Sequence, residues 1–131
     1  MANIIDFIQA TLFNGGASYN IVTGEFNPSD GYMVSLAKNL ERTFPIPTSL
    51  QEMKDSFNTY CKAVGAWKRI SNGNDNIFFG SWIYEGKLYL DLSEKIDRLS
   101  DATELAEQRS QIAIFDNANK CEIVFTHNTQ V

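Results

Sequence analysis

At 131 residues the chain suits one domain with a genuine hydrophobic core and leaves no room for two comfortable ones. Its apolar share and modest charge are those of a folded globular protein, not a disordered one. With a formal net charge of −5 and no basic run, broad binding to duplex DNA or RNA is not expected, although a single phosphate pocket needs only one or two cations.

Met1 to Phe13 carries neither a basic leader nor a long apolar run, so the expectation is a cytoplasmic protein without signal peptide or membrane span. Ile4, Ile5, Phe7, Ile8 and Leu12 instead recur at helical spacing, predicting a helix from about Asn3 to Phe13 that Gly15-Gly16 ends. Ala17 to Val22 reads as a strand. Thr23 to Gly31, with two glycines and Pro28, reads as a polar loop, and Tyr32 to Leu36 as a returning strand that makes a long-tipped hairpin. Such a tip is mobile unless something holds it.

Lys38 to Pro47 reads as a connection. Thr48 and Ser49 can each cap a helix, with Gln51 and Glu52 three residues on, and Leu50, Met53, Phe57, Tyr60, Val64 and Trp67 mark one apolar side of a helix from about Ser49 to Trp67. Asn72 to Asn76 is a turn-rich break. The following segment, Ile77 to Ser93, predicts two strands joined at Glu85-Gly86. Pairing Tyr84 with Lys87 sets Ile83 against Leu88, Ser81 against Leu90 and Phe79 against Leu92 on one aliphatic face. The opposite face carries Phe78, Gly80, Trp82 and Tyr84 across from Ser93, Asp91, Tyr89 and Lys87. That face is aromatic with polar tips and suits a ligand or a partner chain.

Asp101 with Glu104 forms a capping-box pattern and Leu99 with Leu105 a staple, introducing a helix whose core stripe is Ala102, Leu105 and Ala106, with Arg109 at its last turn. Gln111 to Asp116 and Cys121 to Phe125 are strands around the turn Asn117 to Lys120. Thr126 to Val131 reads as a frayed tail. Cys61 and Cys121 lack metal-ligand spacing and read as small buried apolar residues. Hairpins alternating with helices predict an α+β fold: an antiparallel sheet with helices packed on one side, one of them long and amphipathic.

Catalytic chemistry finds little in these residues. The one histidine, His127, stands in the tail, which removes Ser-His and Cys-His pairs. No zinc, calcium-loop, Walker or dinucleotide motif is present. Two carboxylates, such as Asp91 and Asp116, could share a site, although solvation is the ordinary fate of each. Binding is better supported. Trp82, Tyr84 and Tyr89 share a face that Gln111 and Phe115 extend, and aromatic planes stack on nucleobases for about 1–3 kcal/mol each. Gly80 allows close approach, and Arg109 near the sheet edge could hold a phosphate. A homodimer interface, or packing beneath the long helix, would account for the same face.

The run Gly80 to Ser93, then Asp101-Ala102 and Leu105 to Asp116, resembles the C-terminal signature of the first Thoeris anti-defence (Tad) family of bacteriophage sponge proteins. Gly16 to Asn20 and Gly31 to Ser35 extend the likeness, which covers most of the chain from Gly16 to Ile123. The resemblance implies a non-enzymatic homodimer or hexamer. It would sequester, uncleaved, a cyclic ADP-ribose isomer signal of bacterial Thoeris immunity in the infected host's cytoplasm, and in some members cyclic di- or trinucleotides at a second site. It implies no cofactor, metal, catalytic residue, membrane or duplex nucleic-acid partner. Carried over by motif, Trp82 and Phe79 lie on the adenine side, Arg109 contacts the diphosphate, and Asp91, Gln111 and Asp116 approach ribose hydroxyls. Two features stand apart: the hairpin register turns Phe79 into the core, and Ser110 stands where the family often has asparagine. The Thr23–Gly31 tip would close over the ligand.

Overall fold

The computed structural model describes residues 3–70 and 75–125. Its elements run α1 (Ile4–Asn14), β1 (Gly16–Tyr19), β2 (Tyr32–Ser35), a 3-10 turn (Lys38–Leu40), β3 (Arg42–Pro45), α2 (Leu50–Val64), α3 (Ala66–Ile70), β4 (Ile77–Tyr84), β5 (Lys87–Ile96), α4 (Leu99–Gln108), β6 (Ala113–Asp116) and β7 (Cys121–Val124). One antiparallel sheet has the order β1-β4-β5-β2-β6-β7, with β3 paired to β5 as well. The fold is α+β, as the element pattern predicts.

The β4–β5 hairpin organises the sheet. Its register is the predicted one, from Tyr84 opposite Lys87 down to Phe79 opposite Leu92. Glu85 and Gly86 both have positive φ, 49° and 78°, the backbone a type I′ hairpin turn requires. β5 is long enough to serve two partners along its other edge: Lys87 to Leu90 pair with β3, and Ser93 to Ile96 pair with β2.

The pleat sends Leu88, Leu90 and Leu92 toward the helices, where they meet Phe79, Phe7, Met53, Phe57 and Tyr60 in the main core. The Phe57 and Phe79 rings meet edge-on at 4.8 Å, with Phe7 at 5.8 Å from Phe57. A second cluster joins Ala102 and Ala106 of α4 to Val34 and Ile114. Ile96 packs there and shares its strand face with Leu92, so both clusters lie beneath the same side of the sheet. Among the described residues, the four helices therefore leave the opposite side uncovered.

Several expectations need correction. β1 and β2 do not form a hairpin: β1 pairs with β4, whereas β2 pairs with β5 and β6. The reason is local. The Asn20 side-chain oxygen accepts from Val22 N and Thr23 N, turning the chain so that Phe26 bridges back to Tyr19. The supposed connection from Lys38 to Pro47 contains β3. The long helix breaks at Gly65, whose φ of 62° is a left-handed cap, and Trp67 belongs to α3. Ser49 caps α2 as expected, accepting from Glu52 N at 3.1 Å. Asp101, by contrast, lies inside the first turn of α4, whose N-cap is Arg98. Cys61 is buried and Cys121 exposed, both free. The expected turn at Asn72-Gly73-Asn74, and the tail from Thr126 with His127, lie outside the described residues. No helix among the described residues is long and apolar enough to cross a membrane.

Candidate functional site

The uncovered side of the sheet is concave and holds a trough of about 850 Å3. One end is built on β4 and β5. Trp82 and Tyr89, directly opposite in the hairpin, stack with ring centroids 5.4 Å apart and planes 22° from parallel. Tyr89 fixes the indole while 41% of Trp82 stays exposed. Its neighbour Gly16 sits so close that a side chain there would meet Ser81 O at 2.7 Å.

The trough floor is polar. Asp91 is buried, and its Oδ2 accepts from Ser35 Oγ at 2.9 Å and Ser93 Oγ at 3.4 Å. Its Oδ1 fills the place where Gly80 lacks a side chain. Burial pushes the Asp91 carboxyl above its ordinary value, and the two serine hydroxyls oppose that shift. Glu41, also lining the trough, is pushed up first by burial and then by the Asp91 charge, with Lys38 acting against both. Gln111, two residues before β6, is nine-tenths buried, and among the described residues its Nε2 finds no hydrogen-bond partner. An amide nitrogen left in this state costs about 1–3 kcal/mol, so it marks a place where an acceptor from outside would be welcome.

The far wall is the loop between β1 and β2, which supplies Asn27 and Pro28. This loop is pinned. Lys95 reaches Glu25 at 3.1 Å and Asp30 at 3.0 Å, Lys120 Nζ donates to Pro28 O at 2.9 Å, and Asn117 Nδ2 donates to Asp30 O at 2.9 Å.

Of the residues singled out from the sequence, Trp82, Asp91 and Gln111 line the trough. Phe115 lines it too, opposite Met33 in the β2–β6 register. Phe79, Arg109 and Asp116 do not line it. Phe79 is buried in the core, because the pleat turns it to the helix side. Arg109 lies on that side as well, its Nη2 2.6 Å from Glu94 Oε1 and its Nη1 donating to Ser35 O at 3.3 Å. Asp116 folds its carboxylate into the β6–β7 turn, accepting from Ala118 N and from the Asn119 amide and backbone. The Asn119 side chain chiefly, with the turn amides, holds the Asp116 carboxyl below its usual range.

Ser93, placed opposite Phe78 on the ligand-suited face by the hairpin register, lines the trough as well. Lys38, Glu41, Ser35 and Lys120 are trough residues that the sequence reading passed over. Their place depends on how distant segments are brought together. Among the described residues, no three His, Cys, Asp or Glu side chains gather as metal ligands would. No protein-family model, curated protein or solved structure matches the chain.

Proposed function

We propose that the protein is a non-enzymatic sponge for a small cyclic ADP-ribose-type nucleotide, with the concave trough as its binding site. The observation that carries this reading is the conjunction, in one 850 Å3 trough, of a half-exposed Trp82 already stacked on Tyr89 and a buried Gln111 amide nitrogen without a partner. Ligand pockets for drug-sized molecules span about 300–1,000 Å3, with apolar walls and a few placed polar groups. A pre-stacked indole loses little freedom when a base lies on it, so most of the stacking free energy appears as affinity. Lys38 and Lys120 on the walls supply the positive charge a diphosphate needs, in place of Arg109.

Sequestration demands tight binding of the ground state, whereas turnover demands preferential stabilisation of a transition state. Stacked aromatics with hydroxyl- and amide-bonding groups supply the former. The homo-oligomer belongs to the same reading: β7, with exposed Val124 at its end, closes the sheet, Ile112 before β6 is exposed as well, and a second copy there would cover both. So do the bacteriophage origin, the infected host's cytoplasm as the site of action, and cyclic oligonucleotides as further ligands.

The test is to incubate the protein with cyclic ADP-ribose and its glycocyclic isomers, denature it, and analyse the released nucleotide. Intact ligand, retained until denaturation, is expected. A ring-opened product would make the protein an enzyme. Free ligand that never bound would leave a protein-interaction module as the better account of the aromatic face.

A further inference from the structure

Among the described residues, no cation pairs with the acid that forms the floor of the trough. Asp91 is held by two neutral hydroxyls, those of Ser35 and Ser93, and covered on the β4 side by Gly80. The charged and titratable groups around it can be taken element by element. From the segment after β2 come Glu41, whose charge adds to the repulsion, and Lys38, which acts on Glu41. From α2 comes the Tyr60 phenol, bonded to Leu40 O at 2.7 Å. On β5 itself Lys95 is committed to Glu25 and Asp30, and Lys87 stands exposed at the hairpin end. β4 and β2 present Phe78, Gly80, Trp82 and Ser35, none of them charged, and the Tyr84 phenol, while β5 adds Tyr89, stacked on Trp82. From β3 comes Arg42, whose Nη1 bonds Glu41 O, and from the end of α4 Arg109, paired with Glu94. The turn after β6 brings Lys120, bonded to Pro28 O, and β7 brings Glu122. A guest that fills the trough strips remaining water from this carboxyl, and an anionic guest adds like charge. Both effects favour the neutral acid.

We propose that the trough takes up an anionic nucleotide together with one proton, which resides on the Asp91 carboxyl. This rests on the reading of the trough as a nucleotide site and adds how that site is regulated. The neutral acid presents an O–H donor in the same trough as the Gln111 amide, so the trough offers two donors to oxygen or nitrogen acceptors on the guest. Binding then strengthens as pH falls. Between the carboxyl's pKa in the free protein and its higher value in the complex, affinity drops up to about tenfold per pH unit.

The probe is cyclic ADP-ribose, with affinity followed by calorimetry across the whole pH range over which the protein stays folded, in two buffers of different ionisation heat at each pH. Wild type is expected to take up as much as one proton within that window, with log affinity falling toward unit slope. Asp91→Asn keeps an acceptor for Ser35 and Ser93 but cannot titrate, and its affinity should be flat where the wild type slopes. Binding without proton uptake, or an Asp91→Asn variant with the wild-type slope, overturns the inference and leaves the nucleotide site standing. Failure of cyclic ADP-ribose and its glycocyclic isomers to bind at any pH overturns both. Should Asp91→Asn not fold, the wild-type proton count decides alone.

Discussion

Gly80 stands directly opposite Asp91 in the β4–β5 ladder, and the Asp91 carboxylate occupies the volume a side chain at position 80 would need. The glycine is therefore not open space for a ligand to approach the backbone. It is the socket that lets a charged side chain lie flat on a neighbouring strand. Gly80→Ala should push the carboxylate off its two serines and into the trough. The expected cost is about 1–3 kcal/mol of stability, with weaker nucleotide binding. Urea denaturation of the variant checks the first, and calorimetry the second.

Trp82 and Arg109 should separate binding from folding. Trp82→Ala removes a stacking plane worth about 1–3 kcal/mol, so affinity for cyclic ADP-ribose should fall about tenfold or more with little change in melting temperature. Arg109→Ala leaves half-buried Glu94 without its partner. It should destabilise the fold by about 1–3 kcal/mol while leaving affinity within a few-fold of wild type. A large affinity loss in Arg109→Ala at unchanged stability would return the guanidinium to the binding site.

Ser110 carries a left-handed strain that can be relieved. Its φ is 56°, and it occupies the position after the α4 cap in a Schellman arrangement: Ser110 N donates to Glu107 O and Gln111 N to Ala106 O. Glycine and asparagine tolerate that conformation better than serine. Ser110→Gly or Ser110→Asn should raise stability by about 0.5–1 kcal/mol, read as a higher urea midpoint at constant slope.

Lys95 ties the β1–β2 loop to the sheet, and the tie should fail at both pH extremes. Hydrogen bonding and charge from Lys95 lower the Asp30 pKa below its usual 3.8, so this part of the tie is complete above that value and lost as pH falls beneath it. Burial alone would lower the Lys95 pKa, but bonds and charge from Asp30 and Glu25 outweigh it and hold the ammonium above its usual 10.5. That contribution is complete below 10.5 and lost as pH rises through the higher folded value. With intrinsic rates divided out, amide protection over residues 24–30 should be lower in Lys95→Met than in the wild type at neutral pH and, in the wild type, lower below about pH 4 than at pH 7. Exchange in Lys95→Met equal to wild type would assign the loop's order to Lys120 and Asn117.

Tyr60 tests the core beneath β3. Its buried hydroxyl donates to Leu40 O at 2.7 Å, and burial drives the phenol's pKa upward, so it stays protonated through ordinary alkaline conditions. Tyr60→Phe would strand that carbonyl and cost about 1–3 kcal/mol in urea unfolding.

What could be read along the chain was whatever a strand or helix decides by its own period. Alternation through Ile77 to Ser93, closed by Glu85-Gly86, determined the hairpin register and hence which face is aromatic. The stripe from Met53 to Val64 determined the buried side of α2. The element types, and so the α+β class, followed from the same local rules. Tertiary structure alone decided the rest, because long-range pairing depends on partners that no local period names. It took β2 away from β1 and gave it to β5 and β6, made β3 out of a proline-flanked connection, and brought Ser35, Asp91 and Gln111 into one trough. It also turned Arg109 toward Glu94: an arginine at a helix end is compatible with either side of a sheet, and the side is chosen by where the nearest half-buried carboxylate already lies.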